Sequence, residues 1–228
     1  MAGRIFAERT ACLLGVLWRI GWIKMNKNTN KNNGLNQILS QDLQADLSSN
    51  QTNHGKKRLP PVQNWQPKNT SPLDIFINDR GEWLHEGQKM TRQSLVDLFA
   101  SVLWVEEDEL GNRVHYLRTP SDQYQIRVAD APLFVNRVEQ VNENGVAWIE
   151  FYTTTGDVLR LDDVCQPYFG DFADGERLYV PVRFGLVARF LSAAFFHLVQ
   201  MGELEQDDNK VVLKLTSGGK IYKLSAKA

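Results

Sequence analysis

The sequence is short of the residues from which most recognisable sites are built. It has two cysteines, Cys12 and Cys165, and four histidines, His54, His85, His115 and His197, spread along 228 residues. Two thiols so far apart give no disulfide framework and no CxxC pair, and a reducing cytoplasm suits such a chain. No two histidines stand at the helix or hairpin spacing that holds a metal, so we expect no metal site and no cofactor. There is no GxSxG elbow and no complete Walker loop. Charge of one sign is also lacking: a formal net charge of -1 offers no broad field for nucleic acid or an anionic membrane, and neither is expected as a partner. Long apolar runs are missing too. Ala11 to Ile23 is too short to span a bilayer, is interrupted by Arg19, and is followed by no small-residue cleavage site. It reads as an extension from an upstream start codon, or as a membrane-surface segment carrying Trp18 and Trp22.

What is present is a core. Apolar residues make up 43% of the chain, enough for one sizeable domain or two small ones. Asn26 to Lys57 is rich in Asn, Gln, Ser and Lys and cannot offset its ordering entropy by burial, so residues 1–58 are read as disordered or as an added N-terminal extension. Within them Leu35, Ile38, Leu39 and Leu43 stand at helical spacing and would suit a docking motif. Pro60 and Pro61 mark the start of the folded part.

Beyond that point the chain reads as one unit written twice. At an offset of about 91 residues Arg92 meets Arg183, Leu95 meets Leu186, Val96 meets Val187, Phe99 meets Phe190 and Ser101 meets Ser192. In the first copy, residues 59–130, a hairpin of Asp74 to Ile77 and Glu82 to His85 precedes a helix from Thr91 to Trp104, and strands at Arg113 to Leu117 and Tyr124 to Val128 follow. In the second, residues 131–228, a bridge from Leu133 to Val141 leads to strands at Ala147 to Tyr152 and Val158 to Leu161. An insertion from Asp163 to Gly175 comes next, then a strand at Leu178 to Val182, a helix from Arg183 to Met201, and a closing hairpin of Lys210 to Leu215 and Lys220 to Leu224. The expectation is an α+β protein of two tandem ββαββ-type units, with antiparallel sheets and one main helix each.

Candidate chemistry centres on the two arginines. Both would open a helix, where free N–H groups and the helix dipole favour an anion, and a guanidinium adds bidentate recognition of carboxylate or phosphate. Alternatively each pairs with an acid, Asp130 and Asp157 being the candidates. Cys165 has no evident cation to activate it. His197 falls on an apolar helix face and reads as a hydrogen-bonded core residue. Thr216-Ser217-Gly218-Gly219-Lys220 looks like a phosphate loop but lies between alternating strands, which makes it a hairpin turn.

These same stretches resemble a bacterial family, domain of unknown function DUF1285. The likeness is carried by Gly81-Glu82-Trp83, by RQSLVDLFASVL from Arg92, by YLRTPSDQYQIRVADAPLFV from Tyr116, by Thr154-Thr155-Gly156-Asp157, and by LYVPVRFGLVARFLSAAFFHLV from Leu178. The chain departs from the family pattern at Gln123, where the pattern has lysine, at Thr154, where it has asparagine, and at Phe196, where it has tyrosine. The resemblance implies a duplicated α+β core, a C-terminal half loosely like pleckstrin-homology-type domains, and no established activity. Its motifs mark Arg92, Thr119, Pro120, Asp130, Pro132, Gly156, Asp157 and Arg183. The reading that follows is a non-enzymatic ligand-binding or signalling module, holding a small anionic and even nucleotide-like ligand between the two units through Arg92, Thr119, Asp130, Gly156, Asp157 and Arg183. A protein-interaction scaffold is the alternative, and a hydrolase using Asp130 or Asp157 as base is a third.

Overall fold

The computed structural model describes residues 59–173, 175–207 and 210–226. The expectations for residues 1–58, including the Leu35 to Leu43 motif, lie outside them. The chain enters through a single 3-10 turn, Val62–Asn64, that buries Val62 completely.

The first half is a six-stranded sheet with one helix: β1 (Asn69–Ile77), β2 (Trp83–His85), β3 (Gln88–Lys89), α1 (Gln93–Ser101), β4 (Leu103–Glu107), β5 (Arg113–Arg118) and β6 (Asp122–Val128). Spatial order is β3-β2-β1-β6-β5-β4. Two three-stranded meanders therefore meet along their outermost strands in sequence, and β1 lies parallel to β6 while every other pair is antiparallel. Alternation carries Ile75 and Ile77 inward, and α1 buries Val96, Phe99 and Ala100, with the Phe99 ring against Trp83 of β2, centroids 6.3 Å apart.

The second half repeats the sheet without a helix in the middle. It comprises β7 (Leu133–Glu143), β8 (Val146–Thr153), β9 (Val158–Arg160), β10 (Tyr168–Phe172), β11 (Gly175–Pro181) and β12 (Val187–Phe190), in the order β10-β11-β12-β7-β8-β9. Here β7 runs parallel to β12. After it come α2 (Ser192–Gln200) and a separate three-stranded antiparallel sheet, β13 (Glu203–Asp207), β14 (Lys210–Ser217) and β15 (Lys220–Ser225). The described residues are thus mostly sheet with two helices, an α+β fold in two similar halves.

Several sequence expectations are corrected. Neither half is a ββαββ unit: the first has three strands on each side of its helix, and the second has six before and three after. The first helix, expected to reach Trp104, ends at Ser101, and Leu103–Glu107 is β4. Both large sheets are mixed rather than antiparallel, because each closes by pairing its first strand with its last. The bridge at Leu133 to Val141 is strand β7, and the insertion at Asp163 to Gly175 contains β10. The helix expected from Arg183 starts only at Ser192: Phe184 and Gly185 both have positive φ, 52° and 75°, and form the two-residue turn of a β11–β12 hairpin. The letter match thus set Gln93, the start of α1, against Phe184, in the middle of a turn.

Two hairpin tips tie the halves together. The β1–β2 tip packs Gly81, at φ 81°, onto the ring of Phe134, and Arg189 donates to the Asp79 carbonyl at 2.5 Å. In return the β11–β12 tip stacks Phe184 on Trp104, with ring centroids 5.3 Å apart, and accepts a hydrogen bond from Arg113 at the Gly185 carbonyl. The three-stranded sheet is fastened at Ser217, whose buried hydroxyl donates to Leu161 O and accepts from the Ile149 N–H.

Candidate functional site

The β8–β9 turn builds the most distinctive site. Gly156 takes φ 88°, which lets its N–H reach the Thr153 carbonyl, while the Asp157 N–H donates to the Thr153 hydroxyl at 2.8 Å. The hydroxyls of Thr153 and Thr155 donate to one carboxylate oxygen of Asp157, at 3.2 and 3.3 Å. Its other oxygen pairs with Nη1 of Arg183, on the β11–β12 tip. The two side chains are only 8% and 12% exposed. Burial pulls the Arg183 pKa below its ordinary value, with the Asp157 charge acting in the opposite direction. Nη2 of Arg183 donates at 2.7 Å to the Ala100 carbonyl in the last turn of α1, which the C-cap Val102 N–H also approaches. The buried Nε–H has no hydrogen-bond partner among the described residues. Beside this pair lies an open cleft of about 210 Å³, lined by Leu59, Gly156, Asp157, Val158, Leu159, Val182 and Arg183.

The two arginines do not face each other. Arg92 is exposed at the N-cap of α1 and its Nε donates to Ser94 at 3.1 Å, whereas Arg183 engages the other end of the same helix. Nine residues of helix, about 13 Å, separate the two ends. Arg183 therefore sits at a helix C-terminus, where a cation is favoured, and not at the N-terminus that the repeat suggested.

Asp130 belongs to a different cluster. Its buried carboxylate accepts from Arg177 at 2.7 Å and from the Tyr179 hydroxyl at 2.6 Å, and Arg189 Nε lies 3.3 Å away. Arg177 also lies over the Phe172 ring, 3.8 Å from its centroid. Burial, then the Asp130 hydrogen bond and charge, raise the Tyr179 pKa, while desolvation and the neighbouring Arg177 lower that of Arg189. Arg177, Tyr179 and Arg189 were missed in the sequence. Arg177 and Tyr179 alternate onto one face of β11 and Tyr179 lies opposite Arg189, a register the letters do not display.

Thr119 closes a turn. Its hydroxyl donates to the Asp122 carbonyl at 2.9 Å and accepts from the Asp122 N–H at 3.0 Å. Nearby, Gln123 Oε1 accepts from Nε and Nη2 of the buried Arg118, at 3.1 and 2.9 Å, which a lysine there could not do. His197 is exposed in the last turn of α2 rather than in the core, because Ala194 and Leu198 define the buried face. Cys165 is held protonated, its pKa pushed up to about 12 by burial and by Asp162. Thr216 to Lys220 is a hairpin turn, with Lys220 paired to Asp163. Among the described residues no three His, Cys, Asp or Glu side chains group closely enough to hold a metal ion, and no helix is long and apolar enough to cross a membrane.

The family model "Domain of unknown function (DUF1285), N-terminal domain" matches residues 60–131, and "Protein of unknown function (DUF1285), C-terminal domain" matches residues 132–224. The chain belongs to the DUF1285 family. Among solved structures, a DUF1285 protein from Silicibacter pomeroyi DSS-3 is similar at 28% identity, covering 78% of this chain and 92% of that one, with a TM-score of 0.60. A second DUF1285 protein, from Shewanella baltica OS155, is 24% identical over 56% of this chain and 91% of that one, with a TM-score of 0.44. A comparison with curated proteins found no match.

Proposed function

We propose that this DUF1285 protein is a non-enzymatic binding module whose Asp157–Arg183 cleft takes a small anionic ligand. One observation carries the reading: a buried guanidinium in the cleft wall keeps an N–H donor, Nε, that has no acceptor among the described residues. A buried donor left unmatched costs about 1–3 kcal/mol; Nε is shielded from solvent, so a ligand oxygen recovers that cost once the Asp157 pair opens. The cleft volume of about 210 Å³ suits a carboxylate or phosphate group on a short stem. Nucleotide-sized ligands usually occupy about 300–1,000 Å³, so the larger ligand suggested by the sequence finds less support. Of the six sequence candidates, Gly156, Asp157 and Arg183 line the cleft, while Arg92, Thr119 and Asp130 do not.

Asp157 competes with such a ligand for Arg183. A bound anion would loosen that pair, and because Arg183 also holds α1 through Ala100, binding would be felt in the other half of the molecule. This is the physical form a signalling role would take. The cytoplasmic setting rests on the low cysteine count, and the pleckstrin-homology-type likeness of the C-terminal half rests on the family resemblance alone. A hydrolase finds less support, since both candidate bases, Asp130 and Asp157, are tied by arginine and hydroxyl partners.

Acetate and phosphate titrations followed by thermal unfolding and calorimetry test the reading. Asp157→Asn removes the competing charge and should tighten binding about tenfold, roughly 1.4 kcal/mol. Arg183→Lys keeps the charge but loses Nε and the planar fork, and should abolish the response. Equal responses in wild type and Arg183→Lys, or none in Asp157→Asn, would sink the proposal.

A further inference from the structure

Among the described residues the three-stranded sheet leaves β13 on an edge, bonded on one side to β14. Register sets Leu204 opposite Leu213 and Gln206 opposite Val211, so Leu204 and Val211 lie on the same face as the buried Leu213, Leu215 and Leu224. Yet Leu204 is 63% exposed and Val211 58% exposed. The apolar face of the core thus runs out into solvent at this corner. On the opposite face β13 presents Glu203 and Glu205, both exposed, Glu205 held by Lys214 at 2.7 Å. β13 carries no lysine, proline or bulge; its charges are acidic, Glu203 and Glu205, so its edge repels acidic strands and admits basic ones.

We propose that β13 is a docking edge that accepts a fourth strand from a partner protein, an extended segment alternating apolar and basic residues. Main-chain hydrogen bonds to the open edge supply affinity, and the two faces of β13 supply the code. Apolar side chains of the incoming strand cover Leu204 and Val211, while lysine or arginine on its other face meets Glu203 and Glu205. Charge complementarity selects this occupant over a second copy. Two β13 strands laid side by side would set the same carboxylates against each other, and like charges across a strand pair are destabilising. This inference rests on no part of the cleft reading, so either can fail alone.

The test uses the full chain and two labelled ten-residue peptides, one alternating lysine and valine, the other glutamate and valine. Fluorescence polarisation should show the lysine peptide binding at least tenfold more tightly, and hydrogen exchange should show new amide protection at residues 203–207. Leu204→Asp should weaken binding at least tenfold. Glu203→Lys with Glu205→Lys should reverse the preference between peptides, and these exposed substitutions should leave the thermal unfolding midpoint within a few degrees. Binding without protection of β13, binding indifferent to the charge reversal, or no binding would overturn the proposal. So would native mass spectra showing that the free protein already pairs with itself and that Leu204→Asp separates the copies.

Discussion

Asp130 is the residue on which most charge converges. Two guanidiniums and a phenol are oriented by one buried carboxylate, and Arg189 has little solvent to retreat to. Removing one member of a buried ion pair strands the others, at a cost of about 3–5 kcal/mol. Asp130→Ala should therefore lower unfolding stability by that amount in urea titrations. Removing Asp74, whose pair with Arg127 is more than half exposed at both ends, should change it by no more than about 1 kcal/mol. The pairing of Arg183 with Asp157 was among the alternatives legible from the letters. The choice of partner for Asp130 was not, because Arg177 and Arg189 are distant in sequence and only the register of β11 on β12 brings them to one point.

Hairpin tips act at the scale of elements. The β1–β2 tip fits against Phe134 because Gly81 lacks a side chain: a Cβ there would stand 2.8 Å from the ring, at a φ that L side chains rarely adopt. Gly87 has a similar φ, 77°, but nothing within 4 Å of its added Cβ. Gly81→Ala should thus destabilise by about 1–3 kcal/mol more than Gly87→Ala, the difference reporting the contact with the other half. Thermal unfolding of both variants measures it. Four hairpins were legible, β1–β2, β5–β6, β8–β9 and β14–β15, since turns such as Ser217-Gly218-Gly219 name themselves, and α1 follows its 3.6-residue spacing; those that use β4, β7, β10 and β12 were not. The helix expected at Arg183 failed for an identifiable reason. Leu186, Val187 and Phe190 match a helical template by position, but Val187 to Phe190 alternates strand-fashion, with Ala188 and Phe190 buried, and Gly185 closes a turn rather than opening a face. The parallel pairs β1–β6 and β7–β12 leave no local trace, because a parallel neighbour is set by everything between the two strands.

For the molecule as a whole, one titration should dominate the approach to acid. His115 on β5 is mostly buried, and desolvation, with Arg113 adding repulsion, lowers its pKa to about 4. An unfolded histidine titrates near 6.5. Between those values the unfolded chain binds a proton that the folded chain refuses, so stability from this group is complete above pH 6.5 and is lost as pH falls toward 4. The loss is at most about 3 kcal/mol. Unfolding free energies of wild type and His115→Gln, measured from pH 7 to 4.5, should converge as pH falls; parallel curves would refute the assignment.

The closure of each large sheet by its own first and last strands has a consequence for how the chain is made. On the ribosome, β1 waits for its parallel neighbour until Val128 has been synthesised, and β7 waits until Phe190. Such long-range pairings fold slowly compared with local hairpins. The first sheet can close while the second is still being translated, yet the C-terminus of α1 lacks its cation until Arg183 emerges, and the β1–β2 tip lacks its seat until Phe134 and Arg189 do. Synthesis therefore produces a closed but unfinished first half, completed by residues that belong to the second.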